Sequence, residues 1–347
     1  MKLLIYGGCH AEALRRIFDK YSLSELTVDT LVNFQIIAEK TPFPYKDLRN
    51  FDFILFNPIL NQGEYNTSNI EDHCKRFGIP FLRYPWLQWG GYWPEPKKRN
   101  WGENREWGIF FLKEHSARYS CQSDRAHDES GSFERYYESL FEKKSFEHIM
   151  EREVEKTTKQ LIFREAEGGV DFSISTHINE NFHKKRLFLT PDHPSIELYK
   201  YLVKQIAQAL NIRIDPSFYS SNIEIQEGIR TPILPGVAAA LNLNFSASDW
   251  CNKEFLGDSS YSLREFARTT FPGMPIFLAS TKNNTRLKEL DSGDATSIGP
   301  KKKLLVSLDE NDAPKDHIKA QIFGPAPYRR KSALLYKPHW TFSSPDF

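Results

Sequence analysis

Lys2-Leu3-Leu4-Ile5-Tyr6-Gly7-Gly8-Cys9-His10-Ala11 decides how the rest of the chain is read. A short apolar run bounded by Gly-Gly suits a buried strand, and Ala11, Leu14, Ile17 and Phe18 then recur at helical spacing. The pattern is strand, tight turn, helix. Outward from it, Leu26 to Phe34 is rich in β-branched residues, and Phe51-Asp52-Phe53-Ile54-Leu55-Phe56 stops at Asn57-Pro58. Ser68 to Phe77 reads as a helix ended by Gly78, and Ile79 to Tyr84 as a further strand before Pro85. Strands alternating with helices predict a parallel sheet with crossover helices over the first part of the chain. Such sheets bind ligands at the carboxyl ends of their strands. That directs attention to Gly7 to His10, to Asn57 to Gln62 and to the turn after Tyr84.

The 347 residues include 46 basic and 45 acidic side chains, a formal net charge of +1. This balance gives no electrostatic case for a duplex nucleic acid or an anionic membrane surface as partner, since each selects a large positive excess. An anionic ligand must be held locally. The length suits two structural units or one elaborated unit with a full core. Cys9, Cys74, Cys121 and Cys251 form no CxxC pair, so neither a zinc ribbon nor a disulfide framework is signalled, and no metal is expected. The apolar start is too short for a signal peptide, and no later stretch approaches a membrane span. The expectation is a cytoplasmic protein.

Five of the seven tryptophans, Trp86, Trp89, Trp93, Trp101 and Trp107, fall together among Gly90, Gly91, Pro94 and Pro96. Tryptophan is too apolar to leave in water, and Pro and Gly prevent a long helix, so this predicts an ordered loop that lines a cleft or covers the core. Ser132 to Leu161 is charged and helical in pattern, with Ser145 as cap of a second helix that Gly168-Gly169 breaks. Val170 to Ile178 fits strand and helix equally. Asp192-His193-Pro194-Ser195 opens an amphipathic helix through Leu210, with Pro194 at its first position. Residues 283 to 316 are polar around Lys301-Lys302-Lys303 and are expected to be mobile.

Three places carry the candidate chemistry. Cys9 enters a helix after a strand, where unpaired backbone N–H groups lower a thiol pKa and suit a thiolate nucleophile or an anion cradle. His10 beside it is a candidate base; the plainer alternative makes Cys9 a small core residue and His10 a helix cap. His193 is a candidate general base at a helix entrance, or simply part of a capping turn. Lys97-Lys98-Arg99, Lys143-Lys144 and Lys184-Lys185-Arg186 are solvated surface or contacts for a small polyanion.

Four segments resemble, in order, those of the WcbI-type polysaccharide-biosynthesis proteins, a family of coenzyme A-binding proteins assigned to acetyl transfer. Leu4-Ile5-Tyr6-Gly7-Gly8-Cys9-His10 is similar to a strand and a Gly-Asn-Cys-Gln turn, and Phe56-Asn57-Pro58-Ile59 to a strand ending in Gln-Pro. Gly91-Tyr92-Trp93-Pro94 resembles a Gly-Tyr-x-Pro segment, and Phe188 to Ser195 the family's Asn-His-Pro signature. Gly8, His10 and Asp192 depart from the family's Asn, Gln and Asn; Cys9 and His193 match it. The resemblance covers about residues 1 to 245.

It implies an α/β protein: a Rossmann- or flavodoxin-like parallel-sheet subdomain, residues 1–95, joined to a mainly helical part, residues 96–245, with coenzyme A held between them. Residues 246–347 form a C-terminal extension without an assigned role. On this chain the pocket would take Gly7, Gly8, Cys9, His10, Asn57, Tyr92, Trp93 and His193, with Lys144 and Arg186 on the phosphates. The implied activity is acetyl transfer from acetyl-coenzyme A to a sugar hydroxyl in polysaccharide or capsule biosynthesis, alongside other glycan-biosynthesis enzymes. His193 or His10 would be the base, with backbone N–H groups of Gly8 to His10 as oxyanion site and an acyl-Cys9 route as variant. Two other functions fit the same residues: an esterase of the GDSL type, with Cys9 at the serine position, and a non-catalytic coenzyme A- or glycan-binding protein.

Overall fold

A computed structural model describes residues 1–94, 129–226, 228–252 and 260–271, together with strands at 286–289, 303–308 and 319–323. Strand β1 (Lys2–Gly7) leads into helix α1 (Cys9–Tyr21), β2 (Thr27–Val32) into α2 (Asn33–Glu39), and β3 (Phe53–Phe56) through α3 (Thr67–Phe77) into β4 (Phe81–Arg83). The sheet has the order β2-β1-β3-β4, and every pairing is parallel. The predicted strand–helix alternation is therefore observed.

Side-chain alternation along β1 explains why the sheet is covered on both faces. Leu3 and Ile5 face one apolar core with Leu14, Ile17 and Phe18 of α1. Leu4 and Tyr6 face a second core with Ile36 of α2 and Ile70 and Cys74 of α3. The first core continues without a break into the rest of the molecule: α4 (Glu129–Ser139), α5 (Glu147–Gly168), α6 (Ser175–Asn181) and α7 (Ile196–Ala209) all contribute to it. Ala247, Trp250, Tyr261, Leu263, Phe266 and Phe271 belong to that same core, so the start of the C-terminal segment completes the fold. Two of the three antiparallel strands farther on, 286–289 and 303–308, lie inside the stretch expected to be mobile.

Local details differ from the sequence reading for identifiable reasons. Phe146 takes the N-cap position of α5, while Ser145 donates to Glu142 Oε2 at 3.1 Å; the predicted serine cap is one residue out. The helix ends at Gly168, with Gly169 at φ 53°, a left-handed conformation that glycine adopts without strain. Val170 to Ile178 resolves into a turn and α6. Pro194 is not the first residue of α7. It lies in β6 (His193–Pro194), paired antiparallel with β5 (Phe188–Thr190), because a residue before proline is pushed to extended geometry. Ser195 then takes the N-cap position of α7, with its hydroxyl donating to the Arg186 carbonyl at 2.6 Å rather than to the helix.

The tryptophan-rich stretch covers the core up to Pro94; Lys97 to Arg99, Trp101, Trp107 and Cys121 lie outside the described residues. Trp89, Tyr92 and Trp93 are at most 2% exposed. Trp89 Nε1 donates to Thr158 Oγ1, and Trp93 Nε1 to the Pro232 carbonyl, both at 3.1 Å. Buried indole and phenol groups find partners in this way because an unmet donor in a core costs about 1–3 kcal/mol. The loop ties the helical part to the sheet: Trp89 N donates to the Pro191 carbonyl at 2.8 Å, next to β6.

Candidate active site

The order 2-1-3 places β1 between strands whose connections leave in opposite directions, and the crevice at the carboxyl ends of β1 and β3 is where such sheets bind ligands. Three strand ends meet there. Gly7-Gly8 ends β1, Asn33 follows β2 and Asn57 follows β3. Gly7 is required by crowding: a methyl group on it would collide with the Tyr84 hydroxyl and the Asn57 carboxamide. Cys9 is then the first residue of α1, where its sulfur lies in the positive field of the helix N-terminus.

The β5–β6 hairpin delivers the second half of the site. His10 Nε2 donates to the Asp192 carbonyl at 2.8 Å, which fastens the hairpin to α1. Asp192 and His193 are joined through Thr190, which is fully buried. The Thr190 hydroxyl donates to Asp192 Oδ1 at 2.7 Å and accepts from His193 Nδ1 at 2.7 Å. His193 Nδ1 is also 3.4 Å from Asp192 Oδ1. With Nδ1 engaged on this side, Nε2 is the ring nitrogen left for Cys9.

The electrostatics follow from these contacts. Burial alone would push the Cys9 thiol up, but the charge of His10, and then of His193, outweighs it and brings the thiol down to about 5. Burial likewise opposes a charged His193, yet Asp192 and Cys9 raise it to about 10. His10 is raised, against its burial, by Cys9 and the Asp192 carbonyl. The Asp192 carboxyl is held well below the usual carboxylate range, against desolvation, by His193, Thr190 and His10. The resting pair at neutral pH is thus thiolate and imidazolium, the form in which a cysteine attacks a carbonyl. Cys9 and His193 are only partly buried, so a ligand can reach them.

The sequence reading named Cys9, His10 and His193, and the structure brings all three together. It missed Asp192 as the orienting carboxylate and Thr190 as the bridge, although the 190–193 spacing on a tight hairpin was the available signal. Trp86, in the loop expected to line a cleft or cover the core, meets His10 edge-on at 6.3 Å, and its Nε1 donates to the Pro58 carbonyl at 2.7 Å. Tyr92 and Trp93, expected on the pocket wall, are turned into the core instead; Tyr92 Oη donates to the Phe182 carbonyl at 2.7 Å. Arg186, expected at a phosphate, is committed internally: it donates to the carbonyls of Phe188, Leu189 and Thr231 at 3.0, 3.2 and 2.7 Å and pairs with Asp249 at 3.5 Å. Lys144 is exposed on a short 3-10 turn, residues 143–145, and none of the described contacts links it to Cys9. No described helix is long and apolar enough to cross a membrane.

The ion pair makes stability depend on pH in a stated direction. A raised histidine contributes stability that is complete below its unfolded value of about 6.5 and is lost as pH rises through its folded value of about 10. A lowered carboxylate contributes above its unfolded value of about 3.9 and loses that contribution as pH falls. The melting-temperature gap between the wild type and Asp192→Asn is therefore expected to be widest near pH 5 to 6.5 and to narrow toward pH 10. A gap that widens with rising pH would contradict the pairing.

Sheet order, the Gly-Gly-Cys-His turn and the hydrogen bonds of Thr190 to Asp192 and His193 define a class: an α/β protein with a cysteine flanked electrostatically by two histidines at the sheet's carboxyl edge. The family model for the polysaccharide biosynthesis enzyme WcbI matches residues 2–214, and the chain belongs to that family. A solved structure of WcbI, described as a novel polysaccharide biosynthesis enzyme in native form without a disulfide bond between coenzyme A and a cysteine, shares the fold. Its TM-score is 0.56 at 16% identity, covering 78% of this chain and 88% of the other. No curated protein matches the chain.

Proposed function

We propose that this protein is a coenzyme A-dependent O-acyltransferase that passes an acyl group, acetyl in the simplest case, from a thioester to a sugar hydroxyl in polysaccharide biosynthesis. The observation that carries this reading is the half-buried Cys9 thiolate, held at about 5 between two histidines and reachable from the sheet edge. A related protein associated with coenzyme A supports the choice of donor. The donor's thioester end would meet Cys9, which is only partly buried at the carboxyl end of β1.

The chain's own residues then perform two balanced steps. Cys9 Sγ attacks the thioester carbonyl carbon; the bond to the donor sulfur breaks, and His193 gives its proton to that sulfur. His193, now neutral, accepts the proton of the sugar hydroxyl as its oxygen attacks the acyl-Cys9 carbonyl; the Cys9 thiolate leaves and the thiolate–imidazolium pair is restored. Asp192, through Thr190, holds the ring orientation in both steps. His10 stabilises the thiolate and anchors the hairpin.

Calorimetry with coenzyme A and with acetyl-coenzyme A checks the donor. Binding of both is expected, with acetyl-coenzyme A consumed when sugar acceptors are added. Absence of binding to either overturns the reading, and binding without turnover over a broad acceptor panel favours a non-catalytic carrier instead.

A further inference from the structure

Two asparagines at the same strand ends carry side-chain amide atoms with no partner in the fold. Asn33 is 1% exposed, and neither its Oδ1 nor its Nδ2 has a hydrogen-bond partner. Asn57 is fully buried; its Oδ1 accepts from the Tyr84 hydroxyl at 3.3 Å, and its Nδ2 has no partner. Leaving a buried amide unmet costs about 1–3 kcal/mol, so such groups are rare unless something else meets them.

Their placement says what that would be. Val32 pairs with Gly7 in register, so Asn33 follows directly at the level of the Gly7-Gly8 turn; a methyl on Gly8 would lie 3.8 Å from Asn33 Oδ1. Phe56 pairs with Tyr6, and Asn57 N donates to the Tyr6 carbonyl at 3.2 Å, which brings Asn57 against Gly7 from the other side. The two carboxamides thus flank the turn that presents Cys9. Both amides carry N–H donors, and α1, a 13-residue helix, opens with the backbone N–H groups of Cys9 and His10, which have no acceptor within the helix, while Ala11 N donates to the Gly8 carbonyl at 2.9 Å. A set of donors around a nucleophile suits an atom that gains negative charge as the nucleophile attacks.

We infer that Asn33, together with Asn57, receives the carbonyl oxygen of the acyl group at Cys9, and that Asn33 is a catalytic residue selecting for the oxyanion over the ground-state carbonyl. The inference rests on acyl transfer through Cys9 and extends it, since the site so built takes activated acyl groups as a chemical class.

The test compares two reactions of the same sulfur. Acylation by p-nitrophenyl acetate or acetyl-coenzyme A develops an oxyanion; alkylation by iodoacetamide does not. In Asn33→Ala and Asn33→Leu, acylation is expected to fall by about 10²-fold or more while alkylation changes less than about twofold. Removing an unmet buried amide should leave the melting temperature unchanged or raise it, which separates this role from a structural one. Equal loss of both reactions, a lowered melting temperature with parallel loss, or unchanged acylation would overturn the assignment. The arms also separate the two proposals. If the wild type is acylated by the ester and not by acetyl-coenzyme A, the coenzyme A reading fails and the Asn33 assignment stands on the ester rates. If both donors acylate the wild type and both Asn33 variants equally well, the assignment alone fails, and a wild type acylated by neither overturns both.

Discussion

Replacing Cys9 by alanine is expected to reduce acetyl transfer by about 10³-fold or more, to the level that binding and oxyanion stabilisation alone sustain. The sulfur forms and breaks the bond to the acyl group in both steps, so no neighbouring residue substitutes for it. Cys9→Ser should fall nearly as far. A serine hydroxyl does not ionise in the range where the two histidines hold the thiol at about 5, and the imidazolium is then left without its thiolate. Turnover of acetyl-coenzyme A with sugar acceptors, followed as thioester loss, reads the effect. A general-base route, with His193 activating the sugar for direct attack on the thioester, expects both variants to retain most of their rate. The two variants therefore choose between the routes.

The second large effect concerns the charge state of that thiol. Wild-type alkylation by iodoacetamide should rise with pH around a midpoint of about 5 and be flat through neutrality. His10 contributes most to the lowering and His193 next, with burial opposing both, so each single substitution to glutamine should move the midpoint part of the way up. In the double variant the thiol returns to its ordinary value of about 8.5 or above, because burial then acts unopposed. At pH 6.5 that leaves only about one molecule in a hundred as thiolate, and alkylation slows about 10²-fold. A double variant that keeps its midpoint near 5 would show that the helix N-terminus, not the imidazoles, sets the charge.

Much of the sheet was legible from the sequence because its signals are local. The apolar run at Leu3 to Tyr6, the stop at Asn57-Pro58 and the glycine at Gly78 each mark an element boundary through backbone geometry alone. The cysteine turn was legible for the same reason. What failed were assignments that depend on which distant segment packs where. Tyr92 and Trp93 are aromatic on a loop beside the sheet, and nothing local tells a pocket wall from a core plug; the hydrogen bonds to the Phe182 and Pro232 carbonyls decide it. Arg186 lies in a basic run, yet three backbone carbonyls and Asp249 absorb it.

His193 shows an intermediate case. Its place near a helix entrance is legible in the sequence, but the hairpin pairing of Thr190 with His193 is what gives it Asp192 as partner. Asn33 was invisible for a different reason. An asparagine after a strand is common in turns, and only the absence of any partner in the folded protein gives it meaning.

Acyl transfer through Cys9 requires a covalent acyl-Cys9. The most direct measurement is acid-quench mass spectrometry of the protein mixed with acetyl-coenzyme A alone, with peptide mapping of the adduct. One acetyl group on the Cys9 peptide is expected, lost when a competent sugar acceptor is added and absent in Cys9→Ser. Turnover proceeding at full rate with no acetyl group on Cys9 at any quench time would contradict it.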